Sequence, residues 1–91
     1  MDSQPLPDAT TLVTTCLSLL AAKAWEALGL VPDPATQKIE RQLDEAQLAI
    51  DAAAALAELV RPRVSERERR EIETLVTNLR LNFVEQKSKT P

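Results

Sequence analysis

The sequence predicts an all-α protein, an up-down-up bundle of three helices that associates with itself through helices 1 and 2. Apolar residues recur at helical spacing in three segments of the 91-residue chain. Prolines and the single glycine separate these segments, and no strand-like alternation is visible. Apolar residues make up 44% of the chain and aromatic residues only 2%, so the core must consist mainly of Ala and Leu. This length allows one small domain.

Capping and helix-breaking residues set the ends of the first two helices. Asp8 is a typical N-cap and Gly29 a typical left-handed stop, which predicts helix 1 over 9–28. Two prolines exclude a helix interior from the next few residues, because each lacks a backbone donor. Helix 2 is therefore predicted over 35–60, where a further proline ends it.

A capping box predicts the start of the third helix. Ser65 is followed three residues later by Glu68, the spacing at which the two residues satisfy the first backbone N–H groups of a helix. Helix 3 is expected over 66–86. The predicted organisation is a flexible tail over 1–8, a single domain over 9–86 and a frayed tail over 87–91.

Helices 1 and 2 carry more apolar surface than a three-helix monomer can bury. Helix 1 has a broad apolar arc, which we expect to face the core, with a strip of small residues beside it. The arc consists of Leu12, Val13, Cys16, Leu17, Leu19, Leu20, Ala24, Ala27 and Leu28. Helix 2 has two apolar sides, and one of them is a seam spaced by four and three positions through Ala46, Ile50 and Ala53. Large exposed apolar patches are uncommon on monomers, so we expect a homo-oligomer, most simply a two-fold dimer, or an unidentified protein partner. The predicted interface consists of Thr14, Ser18, Ala21, Trp25, Leu48, Ala52, Leu56 and Leu59.

A basic cluster at the start of helix 3 supports an alternative hypothesis, a small nucleic-acid-associated regulator. It consists of Arg61, Arg63, Arg67, Arg69 and Arg70. Glutamates interleave these arginines and no aromatic residues accompany them, so pairing with carboxylates of the chain itself is favoured over nucleic-acid binding. Asp51 is predicted to pair with an arginine of helix 3, and Arg80 is predicted to pair with carboxylates of helix 2.

The remaining composition argues against catalysis. The chain has no His, one Cys and one Gly, and no nucleophile accompanies a base, so we expect no enzyme, metal site or cofactor. The apolar run over 9–22 is too short to span a membrane, and no basic segment precedes it. A cytoplasmic protein is expected. An apolar-ligand carrier is a further alternative, although no polar anchor for a ligand is evident.

Five segments in order resemble a bacterial family, domain of unknown function 1844. They are LSLL at 17–20, AWEALGL at 24–30, PDPAT at 32–36, LDEAQLAID at 43–51 and LRLNFVE at 79–85. The connection at 60–65 departs from the family's Lys-Thr-x-Gly-Asn-Leu-Thr pattern. The resemblance implies a bacterial, cytoplasmic helical protein in which Gly29 and Asp51 are structural, and it implies no activity.

Overall fold

The computed structural model describes residues 6–30 and 41–89. Three α-helices occur in these residues and no strand, which confirms the predicted all-α bundle with up-down-up order. The elements are α1 (Ala9–Ala27), α2 (Leu43–Val60), a 3-10 turn (Arg61–Arg63) and α3 (Glu66–Ser88).

Helix α1 begins at its predicted cap. The Asp8 carboxylate accepts a hydrogen bond of 2.8 Å from the backbone N–H of Thr11. Hydrogen bonds from that N–H and from the Thr11 side chain lower the pKa of Asp8 below its usual range, because they stabilise the charged carboxylate. The cap therefore satisfies one of the first free N–H groups of the helix.

Helix α1 ends in a Schellman motif at Gly29, whose φ is 79°. The N–H of Gly29 donates to the carbonyl of Glu26 at 2.9 Å, and the N–H of Leu30 donates to that of Trp25 at 3.2 Å. A Cβ atom at Gly29 would lie 3.3 Å from the Cβ of Arg41. Glycine is therefore required both by the left-handed backbone and by the close approach of the next segment.

Helix α2 begins at Leu43 instead of residue 35. Just before it, Arg41 forms an isolated antiparallel bridge with Leu28, and the N–H of Gln42 donates to the carbonyl of Ala27 at 2.7 Å. These contacts use extended backbone at 41–42, so no helix runs through them into α2. The first residues of the predicted helix 2, 35–40, lie outside the described residues.

Helix α3 begins at the predicted capping residue. The N–H of Glu68 donates to the Ser65 hydroxyl oxygen at 3.1 Å, and the hydroxyl lies 3.4 Å from the Glu68 carboxylate. The helix continues to Ser88, so 87–88 are helical instead of frayed. The Ser88 hydroxyl donates to the carbonyl of Glu85 at 2.7 Å, which satisfies one of the last carbonyls.

The core lies mainly between α1 and α2, and α3 packs across this hairpin. Of the helical residues in the core, α3 contributes only one that is fully buried, Leu79, supported by the partly buried Leu75 and Phe83. Small residues dominate the hairpin and let the two helix axes approach closely. The buried hydrophobic residues are Leu17, Ala21, Ala24, Ala27, Leu28, Ala46, Ala49, Ile50, Ala53, Val60 and Leu79.

Candidate interaction surface

Helix α2 carries an apolar stripe on its outer side. Leu48 is 67% exposed and Leu59 is 66% exposed, Ala55 is exposed and Ala52 is half-buried. The four residues are spaced by four, three and four positions, so they lie along one side of the helix. We call them the α2 outer stripe.

The α2 outer stripe lies on neither of the sides by which α2 packs within the chain. Ala46, Ile50 and Ala53 are buried on the side toward the core. Another side faces α3, where Asp51 and Ala54 line clefts together with residues of that helix. At 100° per residue the stripe occupies the remaining side, which no described part of the chain covers.

The predicted interface residues differ in exposure. On α2, Leu48 and Leu59 are exposed, whereas Ala52 and Leu56 are half-buried. On α1, Thr14 and Ser18 line a cleft against α3. Ala21 is only 4% exposed and Trp25 is partly buried against the same core cluster, so both side chains contribute to packing within the chain. That these residues form an interface stays a prediction.

The predicted apolar arc of α1 is only partly buried. Leu17, Ala24, Ala27 and Leu28 are buried as expected. Three other residues of the arc lie outside the core: Leu19 is 66% exposed, Leu12 is 40% exposed, and Cys16 is a free, exposed thiol. A branched side chain at the crossing of α1 with α2 would hold the helix axes apart, so close packing favours alanine over leucine there.

Ala55 is the residue of this surface that the sequence reasoning missed, since Leu56 was named in its place. Leu56 is half-buried, whereas Ala55 is exposed between the two outer leucines. The signal was present in the spacing, because 48, 52, 55 and 59 follow the alternation of four and three that marks a helix-pairing seam.

Four of the five arginines in the basic cluster pair with glutamates. Arg69 lies 2.6 Å from Glu66 and 3.0 Å from Glu73, and these hydrogen bonds raise the pKa of its guanidinium, Glu66 contributing most. Arg63 is exposed and has no ion-pair partner among the described residues. The other pairs are Arg61 with Glu58 and Glu73, Arg67 with Glu71, and Arg70 with Glu66.

Arg80 and Asp51, each of which was expected to pair across helices 2 and 3, form an ion pair with each other. Their closest charged atoms are 3.6 Å apart, and both side chains are more than half exposed. An exposed pair of this kind contributes about 0–1 kcal/mol to stability. It lies at the edge of a cleft of about 220 Å³ beside Phe83, smaller than the roughly 300–1,000 Å³ of small-molecule sites.

Within 6–30 and 41–89, no group of three or more potential metal ligands lies together. None of the helices in these ranges has a stretch long and apolar enough to cross a membrane.

The structure describes a small all-helical protein in which no described part of the chain covers the α2 outer stripe. The chain belongs to the family described as Domain of unknown function (DUF1844), which matches residues 9–85. Comparisons with curated proteins and with solved structures found no significant match.

Proposed function

We propose that this chain is a non-enzymatic, cytoplasmic oligomerisation and protein-interaction module. The α2 outer stripe is the observation that carries the proposal. Two leucines exposed by about two-thirds lie on the same side of a helix whose other sides already pack within the chain. Burying such side chains contributes about 25 cal/mol per Å² of apolar surface, so contact with a partner is favoured.

The alternative functions have less support. Most arginines of the basic cluster are engaged by glutamates, which lowers the positive potential that a nucleic-acid backbone would meet. The cleft beside Phe83 is too small for a typical apolar ligand. A second cleft between α2 and α3 has about 420 Å³, but Glu58, Arg61, Glu73 and Arg80 line it, so it does not suit an apolar ligand. The proposal therefore places the binding activity on the α2 outer stripe, with neither a nucleic acid nor a small molecule as its ligand.

Sedimentation equilibrium from about 1 to 100 μM tests the proposal. We expect the wild-type chain to sediment as a multiple of 10.0 kDa. Leu48→Glu should shift it toward 10.0 kDa, because a buried carboxylate without a partner opposes association. Leu81→Glu is the matched control, since Leu81 is 63% exposed but lies on α3.

Circular dichroism of each variant is the control that tests whether both remain helical. A wild-type chain that sediments at 10.0 kDa across the whole range would refute self-association. If Leu48→Glu and Leu81→Glu weaken self-association equally, the placement of the interface on α2 is refuted. Steep salt-dependent binding of DNA or RNA by the wild type would favour the alternative based on the basic cluster.

A further inference from the structure

The α2 outer stripe has the same order of residue types and the same spacings in both chain directions. Its order is Leu48, Ala52, Ala55, Leu59, and the spacings of four, three and four are symmetric about the point between residues 53 and 54. A two-fold axis at that point would place each leucine beside a leucine and each alanine beside an alanine. Such a surface is complementary to itself, as a two-fold interface requires.

We infer that the α2 outer stripe binds α2 of a second copy of this chain in antiparallel orientation, with Leu48 against Leu59 and Ala52 against Ala55 of that copy. This inference rests on the proposed function and specifies its partner and geometry. The two-fold axis passes beside residues 53 and 54. Each α2 then has neighbours on three sides: α1, α3 and the α2 of the second copy.

Charge distinguishes the antiparallel arrangement from a parallel one. The first turn of α2 is acidic, with Asp44 and Glu45, and its C-terminal end is followed by Arg61 and Arg63. A parallel pair places like charges side by side, whereas an antiparallel pair brings the acidic end of each helix to the basic end of the other. About the same axis, Asp44 lies level with Arg63 of the second copy. That arginine has no ion-pair partner among the described residues of its own chain.

The small residues at the centre of the stripe fit a close crossing. Seven of the 18 residues of α2 are alanine. Ala52 and Ala55 allow the two axes to approach to about 8 Å, the short end of the range for packed helices.

The accessible surface is large enough for such an interface. The chain exposes 6537 Å², against about 5,200 Å² expected for a compact monomer of this mass. Its radius of gyration is 14.9 Å, against about 12 Å for a compact domain of this length. A standard interface removes about 800 Å² from each partner, a small part of the surface that this chain exposes.

Cysteine cross-linking tests the orientation. All variants carry Cys16→Ser, because the native thiol is exposed and would itself cross-link. Ala55→Cys should form a disulfide-linked dimer under mild oxidation, since the two sites are offset by only about 4.5 Å along the axis. Leu48→Cys alone should not, because its two sites lie about 16 Å apart along the axis. When the Leu48→Cys and Leu59→Cys chains are mixed, we expect a disulfide between one chain of each kind, because the inferred geometry places residue 48 of one copy against residue 59 of the other.

A charge swap provides a second test. Arg63→Glu should raise the dissociation constant of the dimer roughly fivefold. The new carboxylate would repel Asp44 of the second copy, and the two-fold symmetry repeats this repulsion at the other end of the interface. Adding Asp44→Arg to the same chain should restore most of the affinity. The difference in dissociation constant between Arg63→Glu and the wild type should shrink as the salt concentration is raised.

The outcomes separate this inference from the proposed function. A cross-link by Leu48→Cys alone would show a parallel pair and overturn the inference. A dimer in sedimentation whose mixed Leu48→Cys and Leu59→Cys sample does not cross-link would overturn it while the proposed function stands. A wild-type chain that stays at 10.0 kDa in sedimentation would overturn both.

Discussion

The α1–α2 hairpin buries many small side chains, whereas α3 is attached through a few larger ones and a rim of ion pairs. Among the described residues, eleven hydrophobic residues are buried, and Leu79 is the only one that α3 supplies. The hairpin buries alanines of both helices where they cross. In α3, arginines and glutamates form salt bridges within the helix and to the end of α2.

The proposed interaction surface follows from this difference. Helix α3 packs by one apolar face, and the rest of its surface is mostly charged or polar apart from the exposed Leu81 and Val84. Helix α2 packs with α1 and α3 and still exposes Leu48 and Leu59. The exposed apolar surface of α2 is therefore an excess that the fold of the single chain does not use.

The attachment of α3 is expected to depend most strongly on Leu79. Leu79→Ala should lower the free energy of unfolding by about 3 kcal/mol, because it removes a fully buried side chain and leaves a cavity. Urea denaturation at one protein concentration measures the loss, since association also stabilises the folded chain. The control Leu81→Ala should change it by less than about 0.5 kcal/mol.

A loss below about 1 kcal/mol for Leu79→Ala would contradict this prediction. It would show that other contacts of α3, such as those of Leu75 and Phe83, hold the helix on the hairpin.

The close packing of the hairpin is expected to be intolerant of larger residues. Ala53→Leu should destabilise the chain by about 1–3 kcal/mol, because Ala53 has no exposed surface and extra methylene groups would force α1 and α2 apart. Thermal unfolding should show the loss as a fall in melting temperature of about 4–8 °C per kcal/mol. Ala22→Leu is the control, since Ala22 is exposed on α1. Equal melting temperatures for the two variants would contradict close packing at Ala53.

The sequence predicted the core side of α2 more sharply than that of α1. On α2, the seam spaced by four and three through Ile50 and Ala53 is the side that the structure buries. On α1, the predicted apolar arc was so broad that it included the exposed Leu12 and Leu19 together with the buried Ala24. Ala21 was placed outside the arc but is buried, and which small residues a neighbouring helix covers cannot be read from one helix by itself.

The helix ends were predictable where a single residue determines them. Asp8 and Ser65 cap α1 and α3 through their own side chains, as local sequence indicates. The start of α2 depends instead on a contact across the chain, in which Gln42 donates to the carbonyl of Ala27. A backbone contact between two segments leaves no local signal, so helix 2 was predicted to begin too early.

The ion pairs around α3 should contribute least, and Arg80→Glu measures one that joins two helices. The substitution replaces the attraction to Asp51, 3.6 Å away, with repulsion. Because both side chains are more than half exposed, we expect a loss in the free energy of unfolding of only about 0.5–1 kcal/mol, and less at high salt.

Arg67→Glu is the control, since its pair with Glu71 lies within α3. Asp51→Arg is then added to each of the two variants. If it restores the stability of the Arg80→Glu chain but does not change that of the Arg67→Glu chain, the pair acts across the α2–α3 contact. If Arg80→Glu costs no more than Arg67→Glu, the ion pair does not help to attach α3, and its apolar residues alone hold it on the hairpin.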